Sequence, residues 1–289
     1  MTPSDGDRAT GDGGGWPRRF AGRRALVTGA SRGIGAAIAR RLAAEGADVA
    51  IVARTAERHP TLAGSLAETA SALRAHGGRV AAVTADLASP AGRAHVVPDV
   101  ERALGGPVDI LVNNAAASIQ APVRDFPARR RMITFEVNVH APFELAQAVI
   151  PAMVERGAGW IVNLSSASAR PWPGPPFALG ATGARTGVYG ASKAALNRLT
   201  NALGAELHGT GVRVNSVEPR AAVLSEGADA LVGAHLSPDQ IESMEQMVEA
   251  TVYLCACPPD VTAGNHVSLD LLAGVPLRVR SLDGTELAG

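Results

Sequence analysis

One stretch constrains this chain more than any other: Ala25-Leu-Val-Thr-Gly29-Ala-Ser-Arg-Gly33-Ile-Gly35-Ala-Ala-Ile38. The short apolar run Ala25 to Val27 predicts a buried parallel strand, and the pattern from about Ile34 to Ala44 predicts a helix. A tight turn with three glycines joins them. Glycine lets a phosphate approach the backbone closely, and a helix N-terminus offers unpaired N–H groups and the positive end of its dipole. The spacing, Gly-x3-Gly-x-Gly, differs from the usual Gly-x-Gly-x-x-Gly of dinucleotide sites.

The 289 residues are 46% hydrophobic and 19% charged, enough apolar material for a well-buried core. With aromatics at only 3%, Ala, Val, Leu and Ile must fill that core. Basic and acidic residues balance at 27 each and form no long basic run, which argues against nucleic acid. Cys255 and Cys257 are too few for a disulfide framework. On a helix their spacing turns them to different faces, so buried thiols are expected and no metal site. No apolar run reaches membrane-spanning length, and residues 1–19 lack an apolar leader core. A disordered N-terminal tail (1–19), one folded domain (20–274), a polar C-terminal tail (275–289) and a cytoplasmic location are expected.

Further strands are predicted at Asp48–Ala53, Val80–Thr84, Ile110–Asn113, Trp160–Leu164, Val212–Val217 and Val267–Leu271. Helices are predicted at Ser65–His76, at Pro90–Leu104 with an interruption at Pro98, over 126–156 as a broken pair around Pro142 and Pro151, and at Tyr189–His208. One more should start at Ser237-Pro238 and run to about Cys255. Strands alternating with helices imply an α/β fold: a single Rossmann-like, doubly wound domain with a seven-stranded, mainly parallel sheet. Such sheets bind ligands beyond the C-terminal strand ends. Thr28–Gly35, Arg54, Asp86, Asn113-Asn114, Ser165-Ser166 and Pro219 all follow predicted strand ends.

Tyr189 and Lys193 stand at i and i+4 of one helix and share a face. Alone, such a pair is ordinary solvated surface. A phenol titrates near 10, too high for a base at neutral pH, and an adjacent ammonium favours its anion. Together with Thr28-Gly-Ala-Ser-Arg-Gly-Ile-Gly35, Asn113-Asn-Ala-Ala116, Ile161-Val-Asn-Leu-Ser-Ser166 and Tyr189-Gly-Ala-Ser-Lys193-Ala-Ala-Leu, the chain resembles the short-chain dehydrogenase/reductase family from about Arg23 to Leu272. The resemblance implies an oxidoreductase that interconverts a carbonyl and an alcohol using a nicotinamide cofactor. It implies Asn138, Ser166, Tyr189 and Lys193 as catalytic residues, with Ser166 preferred over Ser165 and Asn138 holding a water in a proton relay. It also implies that Gly29, Ser31, Arg32, Gly33, Ile34 and Gly35 line the cofactor. Arg54, Asp86, Leu87, Asn114, Ala115 and Pro219 would do so too, with Tyr189 and Lys193 at its reacting end. Ala116 and Arg220 stand where the family has glycines, and Ser225 is one position late for an expected hydroxyl.

Charge favours NADP(H) over NAD(H). Ala53 ends the second strand where an acidic residue would hold a ribose 2′-hydroxyl, and Arg54, helped by Arg32, suits a 2′-phosphate. Two other readings stand beside this one. The first is a non-catalytic NADP-binding sensor or scaffold, supported by Ala116 and Arg220. The second is an NAD-dependent alcohol dehydrogenase on the same fold. Finally, 23 positions separate Ser166 from Tyr189, more than most family members have. The extra stretch Arg170–Gly187 carries Trp172, Phe177 and Leu179 and predicts a lid over an apolar substrate, with 221–235 as the opposite wall. The resemblance also implies a homo-oligomer, a dimer or tetramer pairing through the helices at about 127–157 and 189–208.

Overall fold

The computed structural model describes residues 18–57, 63–177, 179, 183–223, 241–275 and 277–287. Seven parallel strands form the central sheet in the order β3-β2-β1-β4-β5-β6-β9. They are β1 (Arg24–Thr28), β2 (Asp48–Ala53), β3 (Val80–Thr84), β4 (Ile110–Asn113), β5 (Gly159–Leu164), β6 (Val212–Glu218) and β9 (Asn265–Val267). Two short strands, β7 (Ala222–Val223) and β8 (Ile241–Glu242), pair with each other outside it. The helices are α1 (Gly33–Ala44), α2 (Leu66–Arg74), α3 (Pro90–Ala94), α4 (Val96–Leu104), α5 (Ala128–Phe135), α6 (Ala141–Arg156), α7 (Gly187–Glu206), α8 (Met244–Leu254) and α9 (Ser268–Gly274). This is the predicted doubly wound α/β sheet.

Its strands are apolar on both faces because helices cover both. Ala25, Val27, Val49, Ile51, Ile110, Val112, Trp160 and Val162 pack towards α1, α2 and α8. Their neighbours Leu26, Ala50, Val52, Leu111 and Ile161 pack on the other side with α4 and α6. Each fully buried Val, Leu or Ile contributes about 1.5–3 kcal/mol. Serine side chains start three helices: Ser65 for α2, Ser89 ahead of Pro90 for α3, and Ser243 for α8, where Gln246 completes a capping box.

Several sequence expectations shift. The break near Pro98 falls at His95, between α3 and α4, because Pro98 cannot donate to the carbonyl four residues earlier. The helical region before β5 divides into α5, a π-helical turn at Glu136–His140, and α6 with Pro142 in its first turn. Pro151 is accommodated inside α6. The helix expected to start at Ser237 begins at Met244 instead, since Ile241 and Glu242 are extended and pair with Ala222 and Val223. Ser237, Pro238 and Ser225 lie outside the described residues, as do residues 1–17 of the N-terminal segment. The last strand ends at Val267, and Ser268–Gly274 turn into α9, whose Leu271 and Leu272 join the core. The alternation Val267-x-Leu269-x-Leu271 cannot by itself separate a strand from one short helix.

The C-terminal segment lies on α1. Arg40 forks onto Asp283 at 2.6 and 2.7 Å, and Arg41 Nη1 donates to the Ser281 carbonyl at 3.0 Å. Cys255 and Cys257 are buried free thiols, as expected. No group of His, Cys, Asp and Glu among the described residues could hold a metal ion, and no helix there is long and apolar enough to cross a membrane. Met132, Phe143 and Val154 expose apolar surface on α5 and α6, the helices through which subunit pairing is expected.

Candidate active site

The parallel sheet brings all its C-terminal strand ends to one edge, and the expected site residues gather there. Gly29 follows β1 with φ +67°, and a Cβ on it would stand 2.7 Å from the Ala115 Cα. A Cβ on Gly35 would meet the Asn114 amide nitrogen at 2.3 Å and the Gly29 carbonyl at 2.6 Å. The turn therefore tolerates no side chain at either position, and α1 starts directly behind it without a side-chain cap. Thr28 and Asn114 lock this turn against β4. The Thr28 hydroxyl accepts from the N–H groups of Asn114 and Ala115, each at 3.1 Å, and Asn114 Nδ2 donates to the Thr28 and Gly29 carbonyls. Asn114 thus braces the cradle with its side chain.

A cleft of about 540 Å³ runs along this edge, lined among others by Gly29, Ser31, Arg32, Arg54, Asp86, Leu87, Asn114 and Ala115–Ile119. The bare glycine turn, the uncapped helix start and two arginines at one end fit a dinucleotide carrying phosphates. Gly33 and Ile34 open α1, where the first backbone N–H groups face no capping side chain. Arg32 is partly committed, donating from Nε to the Ala63 carbonyl at 2.7 Å and from Nη2 to the Gly64 carbonyl at 2.8 Å. Arg54 is exposed on the same cleft. A larger groove, about 690 Å³, lies between α1 and α2 and meets the turn at Ser31, Arg32 and Gly33, and none of the catalytic candidates lines it.

Asn138 stands behind this cleft's Ala115–Ile119 wall against Ala117, and Ser166 and Lys193 stand beside Tyr189. Asn138 sits in the π-helical turn, 1% exposed; its Oδ1 accepts from Ala117 N–H at 2.8 Å and its Nδ2 donates to Ser192 Oγ at 3.0 Å. Ser192 donates in turn to the Tyr189 carbonyl at 2.6 Å. This chain ties the cleft wall to the start of α7. Ser166 Oγ accepts from Ser168 Oγ at 2.9 Å, and its hydroxyl lies beside the Tyr189 phenol. Ser165 instead has a buried hydroxyl without a partner among the described residues. Lys193, 2% exposed, donates from Nζ to the Leu164 carbonyl at 2.6 Å and stands 5.8 Å from the Tyr189 ring centre. Burial pushes Tyr189 up to about 12, against the opposing pull of Ser166, and pushes Lys193 down to about 8. At neutral pH the pair is therefore a neutral phenol beside an ammonium.

A family model described as short chain dehydrogenase matches residues 23–230. The chain belongs to the short-chain dehydrogenase/reductase family. An L-xylulose reductase of Bos taurus is 33% identical over 263 residues, covering 87% of this chain and 96% of that protein. A gluconate 5-dehydrogenase of Gluconobacter oxydans is 31% identical over 265 residues, covering 91% and 89%. Among solved structures, a short chain dehydrogenase of Mycobacterium thermoresistibile superposes with TM-score 0.75 at 29% identity, covering 92% of this chain and 93% of the other. A 3-oxoacyl (acyl-carrier-protein) reductase of Agrobacterium tumefaciens with NADP bound gives TM-score 0.71 at 27% identity, covering 87% and 95%.

This short-chain dehydrogenase/reductase carries its two replaced family glycines without strain. Ala116 and Arg220 both avoid positive φ; among the described non-glycine residues only Ala263 adopts it. The stretch between Ser166 and Tyr189 is anchored at Arg170, which pairs with Glu218 at the end of β6 at 2.9 Å. Burial raises the Glu218 carboxyl and Arg170 opposes that rise. The three apolar side chains of the insertion differ in exposure. Trp172 is half-buried against Gly187 at the start of α7, alongside Val123, while Phe177 is 60% and Leu179 36% exposed. Only Ala221–Val223 of the expected opposite wall (221–235) are described. Ser168 and Ser192, which hold Ser166 and Asn138, were not singled out in the sequence. Serines are common, and only the fold shows which ones face a catalytic candidate.

Proposed function

We propose that this oxidoreductase uses NADP(H) to interconvert a carbonyl and an alcohol on a small, largely apolar substrate. The observation that carries the reading is that Ser166 and Lys193 stand beside Tyr189, while Asn138 links Ala117 of the cleft wall to Ser192 on the same helix as Tyr189. Gly29–Gly35 would receive the pyrophosphate and Arg54 the 2′-phosphate, with Asp86 and Leu87 along the adenosine side and Pro219 near the nicotinamide. The bound nicotinamide would supply or accept the hydride. Ser166 donates a hydrogen bond to the substrate oxygen. Tyr189 gives its proton to that oxygen in reduction and takes it back in oxidation. Lys193 stabilises the phenolate that results. Asn138, fixed between Ala117 and Ser192, would hold a water that returns the proton to solvent. Consumption of NADPH by the purified protein with a panel of ketones tests the reading; no turnover with any of them would favour a cofactor-binding sensor instead.

Cofactor choice has its own test. Arg54→Ala is expected to weaken NADPH by roughly 1.5–3 kcal/mol, the range for a charged hydrogen bond, and to leave NADH almost unchanged. Equal weakening of both in a binding titration would place the specificity determinant elsewhere.

Phe177 and Leu179 stay exposed at the tip of the insertion, and Trp172 braces its base. A bulky apolar carbonyl compound would cover the tip. Phe177→Ala and Trp172→Ala are expected to raise KM for such substrates while NADPH affinity stays constant. Wild-type kinetics in both variants across a range of ketone sizes would reduce the insertion to a surface loop.

A further inference from the structure

A buried carboxylate that the proposed mechanism does not use holds the rim beyond β6. Arg220, where the family has glycine, donates its N–H to Glu242 Oε2 at 2.9 Å, with Ser268 Oγ also 3.3 Å away. Ser268 Oγ donates to the same carboxylate oxygen at 2.7 Å, and the Ala221 N–H faces the carboxylate as well. On the outer side the Arg220 guanidinium pairs with Asp270 of α9. The next two residues, Ala222 and Val223, are held by the ladder to Ile241 and Glu242. Four consecutive residues after Pro219 are thus held by one side chain and its own short strand.

Glu242 is 2% exposed, and its Oε1 has no partner among the described residues. A carboxylate in such a place is costly unless its hydrogen bonds are strong. A neutral serine or asparagine could cap the same N–H groups at smaller desolvation cost. What the charge adds is strength, because charge-assisted bonds are roughly twice as strong as neutral ones. A segment held this way keeps one backbone geometry. It also lies at the strand-end rim beside β5 and Ser166, since Leu164 and Val217 are register partners.

We propose that Glu242, with Ser268 and the Arg220–Asp270 pair, is a positioning clasp that shapes residues 220–223 to receive the nicotinamide half of NADP(H). The inference rests on the cofactor reading above. Glu242 acts through the backbone it holds and touches neither substrate nor cofactor. Arg220 replaces the family glycine because its side chain closes the clasp from outside.

The test separates the two halves of the cofactor. Binding of NADPH and of 2′,5′-ADP, which carries only the phosphorylated adenosine half, is titrated into wild type, Glu242→Ala and Glu242→Gln. Glu242→Ala is expected to weaken NADPH at least ~10-fold, the scale of one lost charge-assisted bond, and to leave 2′,5′-ADP within about twofold. Glu242→Gln, isosteric and still an acceptor but uncharged, should recover about half of the loss in free energy. Equal loss for both ligands, or no loss for NADPH, overturns the clasp. If Glu242→Ala does not fold, Arg220→Gly and Asp270→Asn open it from the exposed side. They must show the same split, at smaller size, or the inference fails. Wild-type protein that binds neither NADPH nor 2′,5′-ADP would refute the NADP reading alone. The clasp is then decided by the same split between NADH and 5′-AMP.

Discussion

Tyr189→Phe is expected to lower turnover at least ~100-fold, the usual scale for losing a general acid/base, with fold and NADPH affinity unchanged. Near-normal turnover in that variant would end the proposed mechanism. The pH profile follows from the two buried groups. Tyr189, pushed up to about 12, keeps its proton throughout the neutral range and so stands ready as the donor for reduction. Lys193, pushed down to about 8, loses its charge just above that range. Once it does, the phenolate formed in the reaction loses its support. Reduction should therefore decline as pH rises past about 8.

Lys193 also sets activity against stability. A lysine whose folded pKa is depressed binds fewer protons in the folded than in the unfolded state between about 8 and 10.5. Its penalty is in full force below pH 8 and fades as pH rises towards 10.5. The fall from 10.5 to about 8 is worth roughly 3 kcal/mol. Losing the charged bond to the Leu164 carbonyl gives back about 1.5–3 kcal/mol, no more than the penalty. Lys193→Met should thus be nearly inactive yet about as stable as wild type at neutral pH. A clearly lowered Tm would mean that the ammonium stabilises the fold.

The largest expected effect on stability lies at the far end of α1 from the glycine turn. Arg41, 0% exposed, joins Glu45 at 2.6 Å and Glu249 at 2.5 Å, and Arg19 Nη2 reaches Glu45 Oε1 at 2.6 Å. The four residues tie the segment before β1 to α1 and α8, and Arg41 adds the C-terminal segment through Ser281. Removing one partner of a buried cluster leaves charge uncompensated, which costs about 3–5 kcal/mol. Arg41→Ala should therefore lower Tm by about 6–20 °C. A shift under about 2 °C in a thermal melt would mean that the carboxylates are solvated or neutral and the cluster contributes little.

The strand, glycine turn and helix from Ala25 to Ala44 were legible because their causes are local. Apolar residues mark the strand and the helix face, and the glycines mark a turn with no room for a Cβ. The parallel, doubly wound sheet followed from the alternation of strands and helices, while the strand order came only with the fold. Tyr189 and Lys193 could be placed on one helix face from their spacing alone. The alternation of Val267-x-Leu269-x-Leu271 was equally local and misleading, because one short helix and one short strand share it.

What the tertiary structure decided lies in contacts between distant positions. Arg41 meets Glu249 across 208 positions, and Asn138 meets Ser192 across 54. Nothing near Asn138 announces the π-helical turn that sets it against Ala117. Glu242 reads in sequence as part of a helix, yet the fold extends it into β8 and buries it under the rim after Pro219. Local patterns follow from steric limits and hydrophobic periodicity over a few residues. Pairings across the sheet exist only once the helices have packed, so they leave no mark along the chain.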